Sequence, residues 1–140
     1  MLNTAATASH KLLITWDEST HPLGHASMDA THAVFVHLVN SLANSDQTTF
    51  MKLFIELQEH TLVHFAAEEV LMTQSGFPAI AEHISEHRRV LGEMAQLAKR
   101  VQKGSLNFAR AYVRERLPEW FALHLITMDQ ALVVHLQKQP

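Results

Sequence analysis

Apolar side chains return at three- and four-residue steps through four successive stretches of this chain. That is the period of one face of an α-helix, so each stretch must bury a stripe against the others. Met28, His32, Phe35, Val39 and Leu42 form the first stripe, which ends at the turn-forming run Asn44-Ser45-Asp46. Asp46 or Ser45 is the expected cap of the second helix, in which Phe50, Leu53, Leu57, Thr61, His64, Glu68 and Leu71 share a face. Gln74-Ser75-Gly76-Phe77-Pro78 then breaks the pattern, with Gly76 suited to a helix end and Pro78 to the first turn of the next helix. The third stripe is His83, His87, Val90 or Leu91, Met94, Leu97 and Val101, and it stops at Gly104-Ser105. A fourth segment runs from about Leu106 to Gln137, where Pro118 is expected to kink or divide it, the longer piece starting near Leu117. Its inner face reads Trp120, His124, Met128 and Ala131.

Four such helices with short connections predict an all-α, antiparallel up-down-up-down four-helix bundle. Residues 1–26 carry Pro22, Gly24 and no sustained period, and read as an extended N-terminal arm; residues 27–140 read as a single bundle domain. With 140 residues, 47% of them apolar, the chain can bury a core, and four glycines are too few for an all-β protein. The absence of cysteine excludes disulfides, thiolate metal sites and a cysteine nucleophile. No basic leader precedes a long apolar stretch, and no run approaches the roughly eighteen apolar residues of a membrane helix. The expectation is a cytoplasmic protein that meets no membrane.

Several polar residues fall where apolar ones belong. His32, His64, Glu68, His83, His87 and His124 all lie on the inward stripes, and His64–Glu68 and His83–His87 are each four apart, on adjacent turns of one face. Burying five imidazoles and a carboxylate in one core is costly unless something compensates them. Metal ions do so, since neutral imidazole and carboxylate are good donors for iron, zinc and copper. A lone His pair of this spacing is usually surface coincidence. The set is far more specific, because all four helices contribute and antiparallel packing brings the donors to one level.

The stretch HFAAEEVLMTQSGFPAIAEHISEH, residues 64–87, resembles the middle signature of the hemerythrin family in its single-domain bacterial form. MDATH, residues 28–32, resembles that family's first-helix motif, and Trp120-Phe121-Ala122-Leu123-His124-Leu125 followed by Asp129 resembles its last, in which a His precedes an Asp by five. The likeness spans about Trp16 to Leu136. It implies two iron ions: His83, His87 and His124 on one, His32 and His64 on the other, with Glu68 and Asp129 bridging both. Spacing alone does not select Asp129, which an ideal helix would swing by about 140° from His124; a local bulge would help.

Two six-coordinate irons offer roughly twelve positions. Five imidazoles, two bridging carboxylates and one oxo or hydroxo bridge take all but one, on the iron with two histidines. A single open position suits a small diatomic, and a site rich in neutral donors suits binding better than hard oxidation. The resemblance therefore implies reversible dioxygen binding, not catalysis, with nitric oxide or other small anions as alternative ligands and carriage, storage, scavenging or delivery as the role. An oxygen or redox sensor, or a nitric oxide or peroxide reductase, are the rival readings of the same site. Reversibility needs a dry pocket, for which Phe35, Phe65, Trp120, Phe121 and Leu125 are candidates beside a plain core role.

Of the other histidines, His10, His21 and His25 read as solvated arm residues, His37 as off the core face, His60 as half-exposed core, and His135 as too far along the axis to ligate. Net charge is −3, yet residues 88–116 hold eight of the eleven basic groups against Glu93 and Glu115. Such an excess reads first as a solvated face that complements a helix end, and otherwise as a surface for an acidic protein partner. With no aromatic platform beside it, nucleic acid is not an expected partner.

Overall fold

The computed structural model describes residues 12–18 and 21–139. Most belong to four helices: α1 (Ala26–Ala43), α2 (Gln47–Ser75), α3 (Ile80–Gln102) and α4, which covers residues 107–137. Each packs on the next along the chain and α1 also meets α4, closing the four-helix bundle. Among the described residues there is no strand, and no helix is long and apolar enough to cross a membrane.

The helix ends follow from local chemistry. Asp46 caps α2, its carboxylate accepting from the Thr49 N–H at 2.8 Å. Gly76 closes α2 in the left-handed region (φ 66°, ψ 40°), where a side chain would be strained. The next N–H, of Phe77, returns to the Met72 carbonyl at 3.0 Å, and the Phe77 and Met72 side chains are buried together. Pro78 lies in the turn and not in the first turn of α3, because the Ile80 N–H bonds back to Phe77 and α3 starts only at Ile80.

Two of the histidines expected to be solvated have local work. His25 caps α1, Nδ1 accepting from the Met28 N–H at 3.3 Å. His21 Nδ1 accepts from the Asp17 N–H at 2.7 Å, and its ring stacks on Trp16. His10 lies outside the described residues. Upstream of α1 the chain is held by Asn40, whose Oδ1 accepts from the Leu13 and Ile14 N–H groups, both at 2.9 Å, while its Nδ2 donates to the Ile14 carbonyl. This seats the Ile14 side chain in the core.

The fourth helix departs from the expected pattern. It runs as Asn107–Ala111, a π-turn Tyr112–Arg116, Leu117–His124, a second π-turn Leu125–Asp129, and Gln130–Gln137. Pro118 does not divide it. The first π-turn ends immediately before Pro118, with the Leu117 N–H donating to the Tyr112 carbonyl, and the ring sits in the first turn of Leu117–His124. Each π-turn inserts a residue and shifts the buried face, which is Val113, Leu117, Phe121, His124, Leu125, Asp129, Leu132 and Val133. Trp120 and Met128 are half-buried and Ala131 exposed, so the inner face read from the sequence is corrected there. On α2 the buried residues are Phe54 and Met72, with Leu53 and Leu71 half-buried; on α3, Val90 and Ala98 are buried and Leu97 is half-buried.

Two apolar clusters result. A large one includes Phe35, Phe50, Phe54, Val90, Met94 and Leu117. A small one holds Met28, Met72, Phe77, Leu132 and Val133, from the start of α1, the end of α2, the α2–α3 turn and the end of α4. In axial position the polar residues of the inward faces fall between them.

Candidate metal centre

That polar layer draws on all four helices. α1 supplies His32, α2 His64 and Glu68, α3 His83 and His87, and α4 His124 and Asp129, none more than 6% exposed. The two pairs four residues apart project together because α2 and α3 are regular there. His124 and Asp129 project together because the π-turn Leu125–Asp129 intervenes: an i→i+5 turn brings a residue five positions later back over the first.

The imidazoles converge through Nε2 on the two carboxylates, and each carboxylate divides its oxygens in the same way. Glu68 Oε2 lies 2.6 Å from His64 and 3.6 Å from His32, while Oε1 lies 3.3 Å from His83 and 3.2 Å from His87. Asp129 Oδ1 lies 3.2 Å from His83 and 3.1 Å from His124, while Oδ2 lies 3.1 Å from His32. The geometry separates three imidazoles (His83, His87, His124) from two (His32, His64), with both carboxylates facing both groups. Two overlapping sets have donor atoms within 4.8 Å of one another: Glu68, His83, His87, His124 and Asp129, and His32, His64 and Glu68.

The protonation of these groups reflects their crowding. Burial pulls His32 and His83 down, but the Asp129 and Glu68 carboxylates outweigh it and hold both at about 9. Burial wins at His87, helped by repulsion from His83 and His124, and pushes it below the ordinary value of 6.5. Burial would raise both carboxyls, yet the surrounding imidazoles keep Glu68 and Asp129 well below the usual carboxylate range.

These contacts do not satisfy the site. Nε2 of His32, His83, His87 and His124, Glu68 Oε1 and Asp129 Oδ1 are buried without a hydrogen-bond partner among the described residues. So are the Nδ1 atoms of all five rings. Orphaned polar atoms in a core are expensive. Here the unsatisfied Nε2 atoms face inward together, in the arrangement that a cation would satisfy by displacing their protons, and a donor set of imidazole and carboxylate fits iron.

Packing against apolar rings, not hydrogen bonds at Nδ1, orients the imidazoles. Phe65 stacks on His87 at 3.7 Å between ring centroids and lies 5.2 Å from His64. Phe121 meets His32 edge-on at 5.8 Å and stacks on Phe35 at 4.9 Å. Trp120 stacks on His124 at 4.6 Å, on the three-imidazole side, and its indole N–H donates to Glu86 Oε1 at 2.8 Å. Leu125 is buried beside them. Sequence reasoning passed over Glu86 and Phe77. Glu86 sits three residues after His83 on an outward face, and only its partner Trp120 marks it; Phe77, 6.3 Å from His83, was legible only as part of the turn.

The remaining histidines stay out of the cluster. His60 is half-buried, with Nε2 3.2 Å from the Thr31 carbonyl and its ring 5.8 Å from His64. His135 Nε2 lies 2.9 Å from the Ser75 carbonyl, joining the end of α4 to the end of α2, and His37 is exposed.

Residues 23–136 match the family model described as the hemerythrin HHE cation binding domain. The chain is 36% identical over 127 residues to a bacteriohemerythrin of Ralstonia nicotianae, an alignment covering 91% of each chain. It is 25% identical over 122 residues to a bacteriohemerythrin of Methylococcus capsulatus, covering 84% of this chain and 92% of that one. Among solved structures, a hemerythrin mutant with one leucine replaced by alanine superposes with a TM-score of 0.82 at 23% identity, covering 90% of this chain and 98% of that one. A wild-type hemerythrin gives 0.77 at 24% identity, covering 84% and 93%; at such identities these two speak for the fold.

Proposed function

The chain belongs to the hemerythrin family, and on that premise we propose that it binds dioxygen reversibly at two iron ions held by the polar layer. In this reading His83, His87 and His124 hold one ion, His32 and His64 hold the other, and Glu68 and Asp129 span both. The observation that carries it is the division of oxygens: each carboxylate turns an oxygen to the two-imidazole group and an oxygen to the three-imidazole group. When bound, two irons would supply the two electrons that reversible dioxygen binding requires.

The residues around the layer supply the conditions for reversal. Five neutral donors against two anionic ones temper oxidising power. Phe35, Phe65, Phe121 and Leu125 are each at most 2% exposed and keep water from the imidazoles. Trp120 covers His124 from the other side. Carriage, storage, scavenging or local delivery of dioxygen is the role such a site serves in a cytoplasmic protein. Metal analysis of aerobically isolated protein tests the reading: about two irons per chain with near-ultraviolet and visible charge-transfer bands support it, and one zinc with no iron contradicts it.

A further inference from the structure

Seven of the eight basic side chains in residues 88–116 have no ion-pair partner among the described residues; Arg89 alone is paired, with Glu86 and Glu93. Part of this excess rims a groove of about 350 Å³ between α3 and α4, lined by Leu97, Phe108 and Tyr112 with Arg100 and Arg116, and by Glu93, whose carboxylate Arg89 pairs at 2.8 Å. Phe108 is 60% exposed, and the Arg100 guanidinium lies 4.7 Å from its ring centroid. On a chain of net charge −3, an apolar floor inside a cationic rim complements an acidic surface that offers an apolar side chain.

The groove connects to the metal centre along the α3–α4 seam. Tyr112 and Glu93 both line its wall, and burial together with the Glu93 carboxylate pushes the Tyr112 hydroxyl up in pKa. Glu93 accepts from Arg89 Nη1 at 2.8 Å, and Arg89 donates to Glu86 from Nη2 at 2.7 Å and Nε at 3.2 Å. Glu86 in turn holds the Trp120 indole that stacks on His124. From Glu93, in the groove wall, to His124 every link is a hydrogen bond or a ring stack, so the groove is joined to a metal-facing imidazole by contacts throughout.

We propose that this groove docks an acidic one-electron donor protein, which reduces the oxidised metal centre along the seam, an inference that rests on the iron reading above. Each encounter oxidises the donor by one electron and reduces one ferric ion to ferrous; two encounters restore the pair, and an oxo group between the ions would take up one proton from solvent. A small, charge-rimmed patch suits such a partner, because redox encounters bury little surface and rely on electrostatic steering.

The test mixes the ferric, iron-loaded protein with reduced plant-type ferredoxin, a small acidic one-electron carrier, and in parallel with photoreduced riboflavin, a small molecule that carries at most a single charge. Reduction by ferredoxin should slow steeply with salt, and about ten-fold or more in an Arg100→Glu/Arg116→Glu chain. The riboflavin rate should stay within about two-fold. Carbodiimide cross-linking gives a readout independent of electron transfer: ferredoxin carboxylates should join to the exposed Lys99 and Lys103, and charge reversal should abolish the links. Rates and cross-links that charge reversal leaves unchanged would overturn the groove. Cross-links lost with the ferredoxin rate untouched would overturn the electron-donor assignment. Metal analysis of the same sample separates either result from failure of the iron reading, since the cross-links are read whether or not iron is bound.

Discussion

Asp129 sets its Oδ1 3.1 Å from His124 Nε2, one π-turn further along the same helix. The wide turn is what allows a single helix to present an imidazole and a carboxylate to the same point. Asp129→Ala should therefore lower iron from about two per chain to one or none, because a donor facing both imidazole groups is lost. Thr127→Ala changes an exposed residue of the same π-turn and should keep both ions. Iron analysis of the two purified variants decides the point; full loading of the Asp129 variant would remove the carboxylate from the site.

His25 and His37 separate structural from metal-binding histidines. His25→Ala deletes the α1 cap and should cost about 1 kcal/mol of stability, read from denaturant unfolding. His37→Ala, at an exposed position, should be close to neutral. Neither should change the iron content.

The metal-free protein should depend on pH in a stated direction. His32 and His83 are held at about 9 against an ordinary 6.5, so the stability they add is complete below 6.5 and is lost as pH rises through 9. Glu68 and Asp129 lie below their ordinary values of 4.5 and 3.8, so theirs is present above that range and lost in acid. His87, pushed down by burial, favours the neutral form and adds to the loss on acidification. Thermal melts of chelator-treated protein should fall between about pH 6.5 and 9, and a flat profile there would contradict the pairing.

How far this was readable beforehand differs from helix to helix. On α1 the stripe Met28, His32, Phe35, Val39 and Leu42 is buried throughout, because an unbroken α-helix keeps its period. On α2, Leu53 and Phe54 are both apolar, as are Leu71 and Met72, and hydropathy cannot choose between adjacent apolar residues; packing buried Phe54 and Met72. On α4 the expected face of Trp120, Met128 and Ala131 failed because a π-turn leaves no hydropathy signature, yet it shifts every later residue. The convergence of His32, His64, Glu68, His83, His87 and His124 could be anticipated from stripes alone. Asp129 entered only through family resemblance, since its placement depends on that same unsignalled turn.

Removing metal should loosen the bundle as a whole. Bound ions would neutralise buried donors that are otherwise orphaned, so metal affinity contributes directly to stability. Chelation should lower the melting temperature by about 10 °C, the effect of roughly 4 kcal/mol on a domain of this size. His83→Ala and His124→Ala should each show lower iron content and a lower melting temperature without any chelator. Scanning calorimetry of loaded and stripped samples reads the difference, and identical melts would break the link between the ions and the fold.

Anaerobic reduction followed by stepwise addition of dioxygen, watched by absorbance, bears most directly on the proposed function. The expected result is saturation at about one dioxygen per two irons, with bands that disappear when oxygen is withdrawn and return when it is restored. Bands that appear once and cannot be reversed, or continued consumption of oxygen, nitric oxide or peroxide beyond that ratio in the presence of an electron donor, would contradict reversible binding.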